Sequence, residues 1–202
     1  MAASVTARVL FIDPSYLLHQ GICQALGSNQ THQIEWVQNS QSGLAKGNQF
    51  DLVLIGHSFD ARTALDLCSD LRALNPQIKI ILINQNADNA LFQEDAFIAG
   101  ASACLAPSIP LQELPATLEQ VSHGAKLFEP KILSGVFQLE PLTRREIEIL
   151  EQMAKGKTDR QIGDSLCISV NTARNHVQNI LRKLQANDRD AAVWRAKIRR
   201  WI

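Results

Sequence analysis

Between Ser169 and Gln185 the sequence SVNTARNHVQNILRKLQ sets Arg174, Asn175, Gln178, Asn179 and Arg182 at helical spacing. Ala173, Val177, Ile180, Leu181 and Leu184 recur on the opposite side as an apolar stripe. Guanidinium and carboxamide groups carry the paired donors and acceptors that match guanine and adenine edges in a major groove. The chemistry predicted for this face is recognition of double-stranded DNA. His176 stands beside the packed stripe with no second ligand nearby, so no metal site is expected. The cysteines, Cys23, Cys68, Cys104 and Cys167, never fall in C-x-x-C spacing and read first as buried thiols.

Three helix starts position that face. Thr143 with Glu146 and Thr158 with Gln161 each have the spacing of a capping box, and Ser169 caps the helix that carries the polar row. Gly156 closes the first of these helices, and Leu166-Cys167-Ile168-Ser169 is a turn of helix-turn-helix length. A last helix is predicted over Asp188–Trp201. Charge agrees: residues 142–202 carry 13 Lys and Arg against 7 Asp and Glu, whereas residues 1–141 carry 7 against 13, within a chain of net charge zero.

The acidic part alternates short apolar runs with longer helical patterns. Strands are predicted at Arg8–Ile12, Ile34–Val37, Leu52–Ile55, Ile78–Ile83 and Ala103–Leu105. Helices are predicted at Leu17–Leu26, Gln41–Lys46, Ala61–Leu74, Asn89–Ala99 and Leu111–Ser122. Strict alternation means a doubly wound parallel sheet, whose working site lies at the carboxyl ends of its strands: Asp13, Gly56, Asn84 and Ala106–Pro107. Residues 125–140, with Gly, Pro and Ser close by and no sustained periodicity, read as a linker. The start of the chain lacks a signal-peptide pattern and no apolar run is long enough to span a membrane, so a soluble cytoplasmic protein is expected.

Leu142-Thr143-Arg144-Arg145-Glu146 and Asn171-Thr172-Ala173-Arg174-Asn175-His176-Val177 resemble the L-T-x-R-E and N-T-V-K-x-H-V signatures of the LuxR/NarL (FixJ) DNA-binding domain. That resemblance implies an all-α four-helix domain over residues 141–202. Its third helix enters the major groove, with Thr172 and Lys183 toward the DNA backbone. The fourth helix would make dimer contacts on DNA, and Ala192, Trp194 and Trp201 are the candidates. Arg174 stands where the family usually has Lys and Gln185 where it usually has Gly, which removes an easy left-handed helix stop.

Residues 1–124, a (βα)5 unit ahead of such a domain, resemble the receiver of a two-component response regulator. Receiver chemistry needs two acids after the first strand for Mg²⁺ and a nucleophilic aspartate ending the third. It also needs a hydroxyl after the fourth strand and a lysine after the fifth. Here Asp13 keeps one acid while Pro14 takes the other position. Gly56 replaces the nucleophile, Asn84 the hydroxyl residue and Pro107 the lysine, and Cys104 stands for the aromatic switch residue. Neighbours along a strand face opposite sides, so His57 is not read as a substitute acceptor. The expectation is a pseudo-receiver joined to a LuxR/NarL-type domain: a transcription factor without enzymatic activity, cofactor or metal, regulated without phosphorylation. Its input would be a protein or small molecule acting on the pseudo-receiver. Alternatives are a thiol redox regulator sensing through Cys104 or Cys167, and a protein-interaction adaptor.

Overall fold

The structure is a computed structural model, and it describes residues 7–27, 32–134 and 139–202. The chain divides into two compact units, Met1–Val136 and Phe137–Ile202. Among the described residues no helix is long and apolar enough to cross a membrane.

The first unit runs β1 (Ala7–Ile12), α1 (Tyr16–Gly27), β2 (His32–Val37), α2 (Ser40–Lys46), β3 (Leu52–Ile55), α3 (Ala61–Leu74), β4 (Lys79–Ile83), α4 (Ala90–Ala99), β5 (Ala103–Leu105) and α5 (Leu114–Ser122). Short 3-10 turns at Gly47–Gln49 and Leu111–Glu113 precede β3 and α5. The strands pair in parallel in the order β2-β1-β3-β4-β5. This is the predicted doubly wound sheet. The central strands β3 and β4 and the end of β1 read as unbroken apolar runs because both faces are covered, whereas the edge strand β2 (HQIEWV) mixes polar and apolar residues. Val9, Phe11, Leu52, Leu54, Ile81 and Ile83 pack with Ile22 and Leu26 of α1 and Leu114, Leu118 and Val121 of α5. On the other face, α2 comes so close that a side chain at Gly43 would overlap Ile12.

The stretch 125–140, expected as a linker, is bound to this unit over its first part. The Leu127 N–H donates to Ser102 O at 2.8 Å and Leu127 forms a parallel bridge with Ala103, lengthening the sheet edge. Phe128 meets Phe97 edge-on, Lys126 lies over the Phe97 ring, and Ile132 of the short helix α6 (Pro130–Leu133) is fully buried. Alternation at Lys126-Leu127-Phe128 sends Leu127 toward the sheet core and Lys126 and Phe128 toward Phe97, a pattern too short to show as periodicity. Residues 135–138 lie outside the described residues.

The second unit contains α7 (Arg144–Ala154), α8 (Asp159–Leu166), α9 (Val170–Lys183) and α10 (Arg189–Ile198). Both capping boxes form with reciprocal bonds, and the Ser169 and Asp188 side chains accept from Thr172 N and Ala191 N. Ile149, Leu150, Met153, Ile162, Ala173, Val177, Ile180 and Leu184 make the core, closed by Ala192 and Ala196 of α10. Gly163 is needed for its missing side chain: a Cβ there would lie 2.8 Å from Ile168 O, whose residue donates its own N–H back to Gly163 O at 3.0 Å. The α8–α9 turn closes only over that gap. The last helix ends at Ile198 rather than Trp201. Arg200 takes a left-handed backbone (φ 56°), and the Trp201 N–H turns back to Ala196 O at 2.9 Å.

Candidate nucleic-acid interface and strand-end site

Helix α9 separates its faces as its spacing requires. Ala173, Val177 and Ile180 are buried, while Thr172, Arg174, Asn175, Gln178, Asn179 and Arg182 are exposed along one side. Thr172 lies in the first turn of the helix with its hydroxyl 2.8 Å from the Ser169 Oγ of the cap. The amide side chains are thus free to meet a groove, which is the arrangement of a recognition helix.

The cations of that row are paired within the domain. Arg174 Nε lies 3.6 Å from Asp159 Oδ2, and Arg182 makes two hydrogen bonds to Glu140, at 2.8 and 3.3 Å. Lys183, expected toward the DNA backbone, is only 16% exposed: its Nζ donates to Glu146 Oε2 at 2.9 Å and to Pro141 O at 3.3 Å. Glu146 Oε2 also accepts from Thr143 N and Oγ1. Burial opposes ionisation of Glu146, but the bonds from Lys183 and Thr143 outweigh it and hold the carboxyl below its usual range. Lys183 therefore fastens the end of α9 to the cap of α7. Arg145, Arg189 and Arg195 are likewise engaged, on Leu166 O, Lys157 O and Leu184 O. Much of the basic excess stitches helices together.

Of the expected dimer residues, Ala192 needs correction: it is fully buried in the unit's own core and offers no surface, whereas Trp194 and Trp201 are both half-buried, Trp201 resting in part on that core. Helical spacing shows that α10 has an apolar side but not whether that side faces inward or outward.

At the other site, β1 and β3 are neighbours, with Ile12 beside Ile55, so Asp13 and Gly56 follow side by side at the carboxyl edge. The Gly56 N–H donates to Ile12 O at 2.9 Å. A Cβ on Gly56 would fall 2.1 Å from Asp13 Oδ2 and 2.6 Å from Asp13 Cγ. The fully buried Asp13 carboxylate occupies the space that a side chain at position 56 would need. It is held by Ser15 N (2.6 Å) and Ser58 Oγ (2.7 Å) on Oδ1 and by Ser58 N (3.0 Å) on Oδ2. Its backbone oxygen accepts from Trp36 Nε1 at 2.7 Å.

Pro14 is exposed beside it. The buried Asn84 turns its Oδ1 to Asn86, accepting from the backbone N–H at 3.0 Å and the side-chain amide at 3.2 Å. Pro107 is exposed in the turn after β5. His57, Ser58, Asp60, Asn84 and Asn86 line an open polar depression there. Among the described residues no group of three or more His, Cys, Asp or Glu is placed to hold a metal ion. Ser58 was not singled out from sequence, and only its place two residues after Gly56 could have flagged it. Asp13-Pro14-Ser15 has the form of an Asx turn, a signal for the Ser15 bond.

Of the thiols, Cys104 is partly buried and Cys68 fully so. Burial pushes the Cys68 thiol up to about 12 and raises that of Cys104 as well. Cys167 is exposed at the end of α8.

Residues 140–196 match the family described as bacterial regulatory proteins, luxR family. The chain is 30% identical over 191 residues to the transcriptional regulatory protein DesR of Bacillus subtilis, covering 91% of this chain and 94% of DesR. It is 28% identical over 202 residues to the response regulator protein VraR of Staphylococcus aureus, covering 94% and 95%. Among solved structures it is similar in fold to RcsB from Salmonella enterica serovar Typhimurium bound to promoter rprA, with a TM-score of 0.61, 16% identity and coverage of 92% and 97%. With a receiver-like sheet, a helix-turn-helix unit and relatives matched over nearly their whole length, the chain belongs to the LuxR family of DNA-binding transcriptional response regulators.

Proposed function

We propose that the chain is a sequence-specific transcription factor that reads double-stranded DNA as a dimer through α9, and that its receiver-like unit works without phosphorylation. The reading of DNA is carried by the exposed row Arg174, Asn175, Gln178, Asn179 and Arg182 on a helix packed by its opposite face. Dimers bound to DNA are described for the related RcsB fold. Phosphorylation independence rests on the carboxyl edge: position 56 offers no nucleophile, and Asp13 is held by Ser15 and Ser58 inside the space an acceptor would need. Asn84 and Pro107 supply neither the hydroxyl nor the ammonium that would hold phosphoryl oxygens. The input is then a ligand or protein partner acting on the receiver-like surface, which shifts a pre-existing equilibrium in place of a phosphoryl group.

Gel-shift titration of the full chain against genomic fragments tests the first part. Arg174→Ala and Gln178→Ala are each expected to weaken specific binding by about tenfold or more, the scale of one lost base contact. Unchanged binding in both variants would refute α9 as the reading element. Incubation with acetyl phosphate and Mg²⁺ tests the second part: no mass increase is expected, and a phosphate adduct on residues 1–134 would refute it.

A further inference from the structure

We infer that Asp159 is a specificity-positioning residue for DNA reading, one that presents the Arg174 guanidinium to the groove; the inference rests on the DNA-reading role proposed for α9. Asp159 is the first residue of α8, directly after the Thr158 cap, and its carboxylate stands between two arginines from different helices. One of them fixes it. Arg189, the first residue of α10, donates from Nη1 to Asp159 Oδ1 at 2.6 Å and from Nη2 to Lys157 O at 2.7 Å, a two-point hold on the α8 start. The Asp159 side chain is 23% exposed, so this pair is partly withdrawn from solvent.

The other arginine is the one oriented. Arg174 approaches the remaining oxygen, Oδ2, through Nε at 3.6 Å while its side chain stays 58% exposed. The contact is made through Nε, so the terminal Nη1 and Nη2 groups stay outside the ion pair on a largely exposed side chain, and these are the two donors that address guanine N7 and O6 in a bidentate pair. A long guanidinium side chain otherwise samples many rotamers, and ordering it on binding opposes affinity for the correct base. A carboxylate held in place on the neighbouring helix removes part of that cost beforehand. It also competes with phosphates for the same cation, which favours base contact over backbone contact at this position.

The test uses the full-length protein. Duplexes are selected from a random pool and sequenced, then the selected site and its single-base variants are titrated by fluorescence anisotropy. Arg174→Ala identifies the base pair that Arg174 reads, because preference disappears there and persists elsewhere. Asp159→Asn, a near-isosteric change, is expected to lower preference at that same base pair by roughly three- to fivefold, the scale of one partly exposed ion pair. Preference elsewhere stays unchanged, and affinity for unrelated duplex is equal or greater. Asp159→Glu is expected to keep most of the preference, and Asp159→Asn added to Arg174→Ala to cause no further loss at that base pair. The inference is overturned if Asp159→Asn leaves preference at the Arg174 base pair intact. It is equally overturned if all positions and unrelated duplex weaken by one common factor, the mark of a purely structural residue. If wild-type protein enriches no sequence, the DNA-reading role itself fails, a result separate from either of these.

Discussion

Placing a methyl group on Gly56 should be among the most damaging small changes in the first unit. The Cβ would sit 2.1 Å from Asp13 Oδ2, so the carboxylate must retreat by about an ångström to reach ordinary contact. Bonds of 2.6, 2.7 and 3.0 Å to Ser15 and Ser58 do not survive such a shift. Asp13 is fully buried, so water does not simply replace them. Losing one or two hydrogen bonds to a buried charge, with the overpacking itself, costs about 3–5 kcal/mol, a large part of a domain's stability. Trp36 is the sole tryptophan before Trp194 and bonds directly to Asp13 O, so its fluorescence reports this unit during urea unfolding. Gly56→Ala is expected to lower the midpoint by roughly 2 M at an ordinary urea slope. The cause is isolated by a cycle: in an Asp13→Ala background the same methyl group should cost less than about 1 kcal/mol, because the space has been vacated. A harmless Gly56→Ala, or one equally costly in both backgrounds, would refute Asp13 as the occupant of that space.

Three further outcomes follow. Gln185 is exposed and left-handed at φ 48°, so Gln185→Gly should stabilise the second unit by about 0.5–1 kcal/mol in thermal unfolding, net of the added freedom of the unfolded chain. Glu146 titrates below its ordinary value when folded, so its contribution is complete above the unfolded pKa near 4.3 and is lost as pH falls through the lower folded value. Unfolding followed by Trp194 and Trp201 should show stability falling through that acid range, with a shallower fall in Glu146→Gln. With iodoacetamide and mass spectrometry, Cys167 should be alkylated in the folded protein while Cys68 and Cys104 react only on unfolding. Fast labelling of Cys104 would revive the thiol-sensor reading.

What could be read from sequence divides along a physical line. Periodicity and capping are local, so the five strands, the doubly wound class of the sheet and the starts of α7, α8 and α9 are legible in the sequence. The same spacing showed which side of α9 is outward. It could not say that Ala192 faces inward, because an apolar stripe looks identical whether it meets its own core or another protein. Nor could it separate cations that hold the fold from cations that face DNA. Lys183 and Arg189 are settled by Glu146 and Asp159, partners 37 and 30 residues away.

The strand end shows the limit most clearly. Sequence reveals that position 56 has no carboxylate, and reading that as an empty place is natural. In the folded chain the place is filled by the neighbouring strand's Asp13, with Ser58 closing over it from the following loop. Glycine is therefore a steric requirement of the present packing. Placing an aspartate at position 56 alone would set two carboxylates into one buried space, so the Asp13 carboxylate would have to leave its bonds to Ser58 to make room for it.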